Sequence, residues 1–350
     1  MANEVQIAGR GAVLIEVEST YNTDPTPSPS ANAQIVRGFA LADKEELVRV
    51  EGVSPHAAGF FAGAGPRSVG VKLSSFSYPT GIADANSRPR EDAIMAILGF
   101  GTPTYAAGPP KTLTWKRLSQ NHRSATLWHY TQDQSAGGNA LLRKVTGLRG
   151  TGRIFHGVHE ALQIEVTDAM GAGTSLADSA SAPTVVLVDL QGDNRLALTS
   201  RSATVTTFAA GAASYSGRLR SLDITLNNNP QQLRGISTSG LPGAVILTPG
   251  TVEAKVQIEV VQVADWAPFT YRAAPTPINL ALRYTAIGQG TSATTDTRDI
   301  SLDGQIVDIE VSEGDGIQLW DLTIVGLFPD DGTAEGRTSA DMLSIVDTST

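Results

Sequence analysis

The sequence predicts a mainly β protein, and its composition supports that class in several ways. Its 350 residues include 35 glycines and 18 prolines, and only 17% of them are charged. Helical proteins are usually richer in Glu, Lys and Arg, which cover their solvated faces. β-branched residues interrupted by glycine and proline instead favour many short strands joined by turns. With 41% hydrophobic residues, the chain can bury a sizeable core.

The composition also excludes several classes of protein. The chain has no cysteine, which excludes disulfide scaffolds, thiolate zinc sites, iron–sulfur clusters and thiol nucleophiles. The N-terminal residues carry Glu4, Glu16 and Glu18 without a basic start, so we expect no secretory signal. No apolar run approaches the roughly 18 residues that span a bilayer. We therefore expect a soluble protein made in the cytoplasm, with no membrane partner.

The first 80 residues predict strands around one extended loop. The loop covers residues 22–33, where Pro25, Pro27 and Pro29 can join neither a sheet ladder nor a helix. Segments rich in apolar and β-branched residues precede and follow it. Strands are expected at 11–18 and 69–78, and either a short helix or a strand at 40–50.

One helix is expected, at residues 89–98. Ser87 is a suitable N-cap, Pro89 suits the first turn, and Gly99 ends the helix. Its apolar residues recur at the spacing of a single helical face, so the helix is expected to pack that face against a sheet. The face comprises Ile94, Ile97 and Leu98.

The middle of the chain predicts strands that run out and back. Gly147, Gly150 and Gly152 indicate a bulge or a bend between strands rather than a helix. The stretch near residues 170–183 is rich in small residues and is the best candidate for an internal boundary. Strands are expected at 113–118, 123–130, 141–148 and 161–167.

The second half is expected to be nearly all strands. Residues 252–263 alternate apolar and polar side chains, which predicts a long, half-buried antiparallel strand. The tail from Thr338 onward is polar, and we expect it to be mobile. Strands are expected at 185–190, 205–208, 219–226, 245–247, 252–263, 278–287, 305–311 and 318–327.

Charge is divided unevenly along the chain. The acidic C-terminal portion 299–350 contains twelve acidic residues and one basic residue, whereas the segment 111–153 contains eight basic residues and one acidic residue. Two explanations stay open: ordinary solvated surfaces, or head-to-tail contacts between copies of the chain in which complementary charges set the register. The second makes six basic residues candidates for contacts between subunits. They are Lys116, Arg117, Arg143, Lys144, Arg149 and Arg153.

No motif for catalysis or for a cofactor is complete. The glycine-rich segments 63–68 and 235–240 match neither a dinucleotide-binding loop nor a nucleophile elbow. His156 and His159 are three residues apart and would point to opposite faces of a strand, so they are expected to be partly exposed loop histidines. The acidic pairs of the C-terminal portion lack a full calcium-loop pattern. We expect no enzyme activity, no metal and no cofactor.

Two tryptophans lie within the basic segment 111–153. Trp115 and Trp128 fall at strand positions, where a buried or half-buried aromatic is the commoner role. The chain carries a net charge of −9, and sequence-specific nucleic-acid binding usually needs an overall basic balance. We therefore do not expect these residues to form a base-stacking platform.

Five segments share a distinctive order of features. The opening strand runs into EVESTYNTDPTPSPSANA, which places Glu18, Thr20, Tyr21, Pro25 and Asn32. A short helix then ends in EDAIMAILGFGTPT, and a strand, long hairpin and glycine turn follow in LTWKRLSQNHRSATLWHYTQDQSAGGNALLRKVTGLRGTGRI, with Gly147, Arg149 and Gly150 at the turn. The last two segments are ALQIEVTDAMG and LRSLDITLNNNPQQLRGISTSGLPG, the latter with Asp223 and an Asn run. In this combination the chain resembles the tail tube (major tail) proteins of long-tailed bacteriophages and related phage-like particles.

The resemblance implies a fold and an assembly. It implies a β-sandwich or barrel-forming tail-tube fold in a single domain of residues 1–350, with one short flanking helix and long hairpin and loop extensions. The long hairpin, at about residues 111–153, and the loop 22–33 would reach into the next ring. Hexameric rings would stack into a hollow tube in the virion tail, assembled in the host cytoplasm. This chain departs from the pattern in its extended acidic C-terminal portion.

The same resemblance implies partners and a lumen. The partners would be further copies of the chain, a tape-measure protein, a baseplate or tail-tip initiator and a tail terminator. Phage DNA would pass through the lumen without specific binding, and acidic side chains there would repel its phosphates. Asp308 and Glu310 are our candidates for the lumen.

Other functions stay open at this point. A decoration or baseplate protein would be a β-type virion component that binds a different partner. A carbohydrate-binding adhesive domain would favour clustered exposed aromatics, although aromatic residues make up only 6% of this chain. The sequence also leaves open a trimer of duplicated domains, although the two halves lack obvious similarity and we prefer a hexamer.

Overall fold

The protein is mainly β, as its composition predicts, and most of its strands join one large antiparallel sheet. The computed structural model describes residues 6–34, 36–52, 59–77, 90–118, 121–133, 140–179, 198, 203–208, 218–233, 243–248, 250–259, 278–285, 296–327 and 342–349.

These residues form two short helices and eighteen strands. The helices are α1 (Pro29–Asn32) and α2 (Asp92–Ile97). The strands are β1 (Gln6–Val17), β2 (Val36–Gly52), β3 (Gly59–Phe76), β4 (Thr104–Ala106), β5 (Lys111–Lys116), β6 (Ala125–Asp133), β7 (Ala140–His156), β8 (Gln163–Gly171), β9 (Gly173–Ser179), β10 (Ala203–Phe208), β11 (Leu219–Asn227), β12 (Pro230–Leu233), β13 (Ala244–Leu247), β14 (Thr251–Glu259), β15 (Ile278–Thr285), β16 (Thr297–Gly314), β17 (Ile317–Gly326) and β18 (Leu343–Ser349).

Two long strands change neighbours along their length and so bend the sheet around one core. The sheet has sixteen strands, with the main order β2-β3-β8-β7-β11-β14-β17-β16-β18-β5-β4. The first half of β7 pairs with β6 and β9, and its second half pairs with β8 and β11. The first half of β16 pairs with β15 and β18, and its second half pairs with β17. β12 and β13 form a separate hairpin.

The helix α2 lies inside the core rather than on one side of it. All six of its residues are buried, and it contacts β1, β6, β7 and β8. The expected apolar face is therefore buried, but so is the rest of the helix. The helix is also shorter than expected, with Glu91 at its N-cap position, while Ser87 and Pro89 lie outside the described residues. No described helix has both the length and the apolar character needed to cross a membrane.

The loop 22–33 contains a helical turn and folds back onto its own chain. We expected Pro29 to exclude a helix, but it begins α1, where the missing N–H costs nothing. The side chain of Asp24 accepts a hydrogen bond from Trp128 Nε1 at 3.1 Å and an ion pair from Lys144 Nζ at 3.0 Å. The loop therefore contacts β6 and β7 of its own chain. That it reaches into a neighbouring ring stays a prediction.

The segment at 40–50, left open between helix and strand, belongs to β2. β2 and β3 pair from Val36 to Gly52, whereas β3 pairs with β8 only over Val69–Phe76. Beyond Val69 the hairpin pairs with no other described strand. Nine residues of β2 at about 3.3 Å each give a projecting arm of about 30 Å.

The hairpin predicted at about 111–153 is smaller than expected. β6 and β7 form it, from Ala125 to Leu148. β5 instead pairs with β4 and β18 and takes no part in it. Gly147 has a φ of +67°, and register shifts lie near Ala125 and Thr151, so the glycines do mark irregularities in the strand.

The strands of the second half agree with the expected pattern where the structure describes them. β14 buries Val252, Ala254, Val256 and Ile258 and leaves the alternate residues partly or fully exposed. The strand expected at 185–190 lies outside the described residues, as does the end of the strand expected at 252–263. β8 and β9 flank residue 172, within the suspected boundary, and both pair with β7.

Part of the tail beyond Thr338 forms a strand of the sheet, which corrects our expectation of a mobile segment. Its residues Leu343–Ser349 form β18, which is inserted between β16 and β5. Leu343 and Ile345 are fully buried. The polar composition of this segment hides the strand, because it is the alternate residues of β18 that point into the core.

Candidate functional site

Eight neighbouring strands present one continuous outward face, which we call the outer face. The strands are β2, β3, β8, β7, β11, β14, β17 and β16. Side chains alternate across a strand, so the residues that point away from the core line up from strand to strand. Lys255, for example, pairs with Asp223 on one side and with Thr323 on the other, and Thr323 pairs with Asp308.

The outer face carries both acidic and basic side chains, and the acids gather towards one end of it. Its described acidic residues include Glu165, Asp168, Asp223, Glu253, Glu259, Asp308, Glu310 and Asp321, and its described basic residues include Lys44, Lys72, Arg149, Arg153, Arg220 and Lys255. The acids are most concentrated on β16 and β17, at one end of the face, whereas Lys44 and Lys72 lie at the other end on β2 and β3.

Asp308 and Glu310, our lumen candidates, are exposed on β16 within this face. A register shift between Ile306 and Asp308 adds a residue at this point, which exposes Val307 and keeps Ile309 in the core. Both acids border an open cleft of about 590 Å³ together with Asp223, Lys255 and Asp321.

Acidic side chains oppose each other at this end of the face. Glu310 is directly opposite Asp321 on β17, a pairing of like charges that costs stability in an isolated sheet. Asp321 is stabilised by Gln257 Nε2, which donates a hydrogen bond at 2.8 Å, and by the Ser312 hydroxyl. Glu310 makes no described ion pair. The arrangement favours a surface that repels anions.

The edge of the face is open next to these acids. Residues 305–314 of β16 pair with β17 on one side and with no described strand on the other. Val307 and Val311 are about half exposed along this edge. An unpaired edge with exposed apolar residues is a template for pairing with another chain.

The six basic candidates are not equivalent. Lys116 and Arg143 are exposed on β5 and β7. Lys144 bonds Asp24 and lies 3.8 Å over the Trp128 ring. Arg153 bridges Glu165, at 2.6 Å, and Asp223, at 3.3 Å, on the outer face.

Two of the candidates serve the interior of their own subunit. Arg117 is buried, and its Nη2 donates to Asn228 Oδ1 at 2.6 Å. Burial lowers the pKa of Arg117 to about 10. Arg149 donates to the backbone oxygens of Arg123, His122 and Val245, and stacks on Tyr21. We therefore remove Arg117 from the candidates for subunit contacts. The hydrogen bonds and the ring contact described for Arg149 are also made within its own chain.

Several residues of the five segments on which the resemblance rests lie close together in the structure. The buried Glu18 accepts hydrogen bonds from Gly147 N (2.7 Å), Asn22 N (2.7 Å), Thr126 Oγ1 (2.6 Å) and Ser124 Oγ (2.6 Å). Close by, the Tyr21 hydroxyl accepts from Val245 N at 2.5 Å and its ring contacts Arg149. Asn228, from the Asn run, donates to Leu98 O and Gly150 O. These residues hold loops and strands together, so their role here is structural.

The two histidines His156 and His159 lie in different surroundings. His156 is buried at the end of β7, not partly exposed in a loop as expected, while His159 is exposed. The ring of His156 donates from Nδ1 to Gly157 O at 3.0 Å and accepts at Nε2 from the Tyr284 hydroxyl at 2.9 Å. Burial lowers the pKa of His156. Within the described part of the chain, no group of three or more His, Asp or Glu side chains is arranged to hold a metal ion.

Trp115 and Trp128 are both buried, as expected. Trp115 Nε1 donates to Asp92 Oδ1 at 3.2 Å, and Asp92 also pairs with Arg123 at 2.7 Å. The tryptophans therefore stabilise the core and the covering loop, and they offer no described stacking surface.

Sequence reasoning missed Lys44 and Lys72 at the basic end of the outer face. Both are exposed, and neither forms a described ion pair. Assigning residues 40–50 to a strand would have placed Lys44 on a face with Ala40 and Ala42, because every second residue shares a face.

No protein-family model matches the chain, and no curated protein matches its sequence.

Proposed function

We propose that this protein is a structural subunit that self-assembles into stacked hexameric rings, which form the hollow tail tube of a phage or phage-like particle. The observation that carries the proposal is the outer face: a broad, continuous antiparallel surface with exposed acids concentrated on β16 and β17 at one end. The resemblance of the five sequence segments gives the proposal its class.

The charge of the outer face suits a conduit for DNA. Each phosphate that a Lys or Arg neutralises adds salt-dependent affinity, so a basic lumen would hold DNA at every ring. A lumen lined by Asp308, Glu310 and their neighbours would repel the phosphates and leave the DNA free to slide. On this proposal the tape-measure protein occupies the same lumen during assembly.

Open edges and the projecting arm suit assembly. A two-stranded hairpin alone is marginally stable in water, so the arm formed by β2 and β3 requires a surface outside its own subunit. The unpaired edge of β16 requires backbone partners for the same reason. In a ring, a neighbouring copy supplies both.

Electron microscopy of the purified protein at rising concentration tests this function. We expect rings or hollow tubes with sixfold end views. Tube proteins can need an initiator to nucleate, so a second arm of the experiment adds short tube fragments as seeds. Monomers at every concentration, with and without seeds, would overturn the proposal and favour a partner-dependent decoration or baseplate protein.

A further inference from the structure

The two ends of the outer face differ in shape as well as in charge. At one end lies a groove of about 600 Å³ on β2, β3 and β8, which we call the basic groove. At the other end the β16–β17 hairpin extends past the described part of its neighbour β14, in which Glu259 pairs with Leu319. We call residues 311–318 of that hairpin the acidic tip.

Small side chains form the floor of the basic groove. Ala40, Ala42 and Gly70 line it, together with Lys44, Lys72 and Asp168. Met170 lines the groove as well. The groove therefore combines a floor of small side chains with one acid and two cations, neither of which forms a described ion pair.

The groove also contains an unused hydrogen-bond donor. Gln232, on β12, lines it, and its Nε2 atom is buried without a hydrogen-bond partner. A buried amide without a partner costs free energy, and an incoming carbonyl or carboxylate oxygen would satisfy it.

The acidic tip has complementary properties. Val311 is 48% exposed and Ile317 is 37% exposed, which is unusual for apolar residues in a strand hairpin. Glu313 is exposed nearby and makes no described ion pair. The turn is a tight two-residue one, since Asp315 and Gly316 both have positive φ, and Arg220 holds Asp315 at 2.9 Å. A preorganised tip loses little entropy on docking.

We propose that the basic groove receives the acidic tip of a second copy of this chain. Val311 covers the small-residue floor, Glu313, which shares its face of β16, lies against Lys44 and Lys72, and an oxygen of the tip accepts from Gln232. The groove and the tip are different patches of one chain, so the contact is head-to-tail and continues from copy to copy. The inference rests on the proposed function and names the surfaces through which neighbouring subunits meet.

Cysteine cross-linking tests the contact directly, because the chain has no cysteine of its own. One variant carries both Ala42→Cys and Val311→Cys. A disulfide within one subunit would leave the protein monomeric, so covalent oligomers report contacts between copies. On mild oxidation we expect a ladder of covalent dimers, trimers and longer species.

A matched control carries Leu176→Cys with Val311→Cys, since Leu176 is 65% exposed on β9, away from the outer face. Circular dichroism checks that both variants fold. No ladder, or a ladder equal to that of the control, would overturn the contact.

The outcomes separate the contact from the proposed function. A ladder together with rings or tubes supports both, and tubes without a ladder overturn the contact alone. A ladder without any ring or tube supports the contact but overturns the tail tube. If neither a ladder nor rings or tubes form, both the contact and the proposed function are overturned.

Charge reversal gives a second test that does not depend on oxidation. Lys72→Glu and Glu313→Lys should each raise the concentration at which assembly begins, by about tenfold, because like charges then face each other. A mixture of the two variants should assemble more readily than either alone, since each supplies the partner that the other lacks. Failure of the mixture to improve on the single variants would contradict the contact.

Discussion

Buried charges in this protein are satisfied by partners from distant parts of the chain. Arg298 is fully buried, and its guanidinium donates twice to Asp347, at 2.6 Å each, and once to Glu91 at 2.6 Å. The Ser77 hydroxyl accepts a further hydrogen bond from it. Burial raises the pKa of Asp347, while the charge of Arg298 opposes that shift. This cluster joins β16 and β18 to the start of α2.

Removing one member of this cluster should be strongly destabilising. Asp347→Ala leaves a buried guanidinium with one carboxylate, and we expect the free energy of unfolding to fall by about 3–5 kcal/mol. Asp299→Ala is the matched control, because Asp299 lies next to Arg298 on β16 and pairs with Arg283, which is half exposed. The control should lose at most about 1 kcal/mol. Equal losses in denaturant titrations would contradict the interpretation.

Glu18 should be nearly as important, although it makes no described ion pair. Glu18→Ala leaves two backbone N–H groups and two hydroxyls without their acceptor, and each lost bond to a charged group is worth about 1.5–3 kcal/mol. We expect a loss of at least about 3 kcal/mol. Glu253→Ala, on the outer face, should change stability by no more than about 0.5 kcal/mol. Denaturant titration of the two variants checks this.

The lowered pKa of His156 predicts a dependence of stability on pH. In the folded protein the ring stays neutral to accept from Tyr284, whereas in the unfolded chain it titrates near its ordinary value of about 6.5. The unfolded state therefore binds more protons below that value, and stability falls as the pH falls. His122 and His129 are partly buried, and desolvation lowers their pKa values as well, so they act in the same direction.

Melting temperatures from pH 8 to pH 5 measure this effect. His156→Gln should show a smaller loss on acidification than the parent protein, while His159→Gln should behave like the parent because His159 is exposed. An unchanged loss in His156→Gln would show that this histidine does not contribute.

Among the elements, the projecting arm has the clearest separable role. Residues 45–66 can be replaced by a short turn without touching the ladder between β3 and β8, which begins at Val69. We expect the shortened protein to keep its melting temperature within a few degrees and to lose tube formation, since this part of β2 and β3 pairs with no other described strand. Calorimetry and electron microscopy measure the two properties on one preparation. Loss of folding, or normal tubes, would contradict this role.

The element scale also shows which predictions from sequence succeed. β14 was predicted from its alternation, because an antiparallel strand with one face in the core repeats every two residues. The same reasoning failed for β18, where a polar composition hid a strand whose Leu343 and Ile345 are buried. Alternation leaves β2 undecided between a helix and a strand, since a short apolar run fits both equally well.

For the whole molecule, the acidic end of the outer face predicts an effect on DNA passage. Asp308→Lys with Glu310→Lys places two cations per subunit where we propose that DNA slides, so DNA release from assembled particles should slow and become more sensitive to salt. Thr225→Lys with Thr151→Lys, on the same face but further from the acidic end, measures whether position matters. Unchanged release kinetics in the first variant would remove these two acids from the lumen.

The sequence by itself determined the β class, the buried helix near residue 94, the irregularities at the glycines and the separation of acidic from basic segments. These depend on composition and on local periodicity, which neighbouring residues encode. Only the tertiary structure decided which charges are free, because Arg298 meets Glu91 across 207 residues of chain and Arg117 meets Asn228 across 111. It also decided that Lys44 and Glu310 share one face, since sheet order and register arise from contacts between distant strands, and no local pattern specifies them.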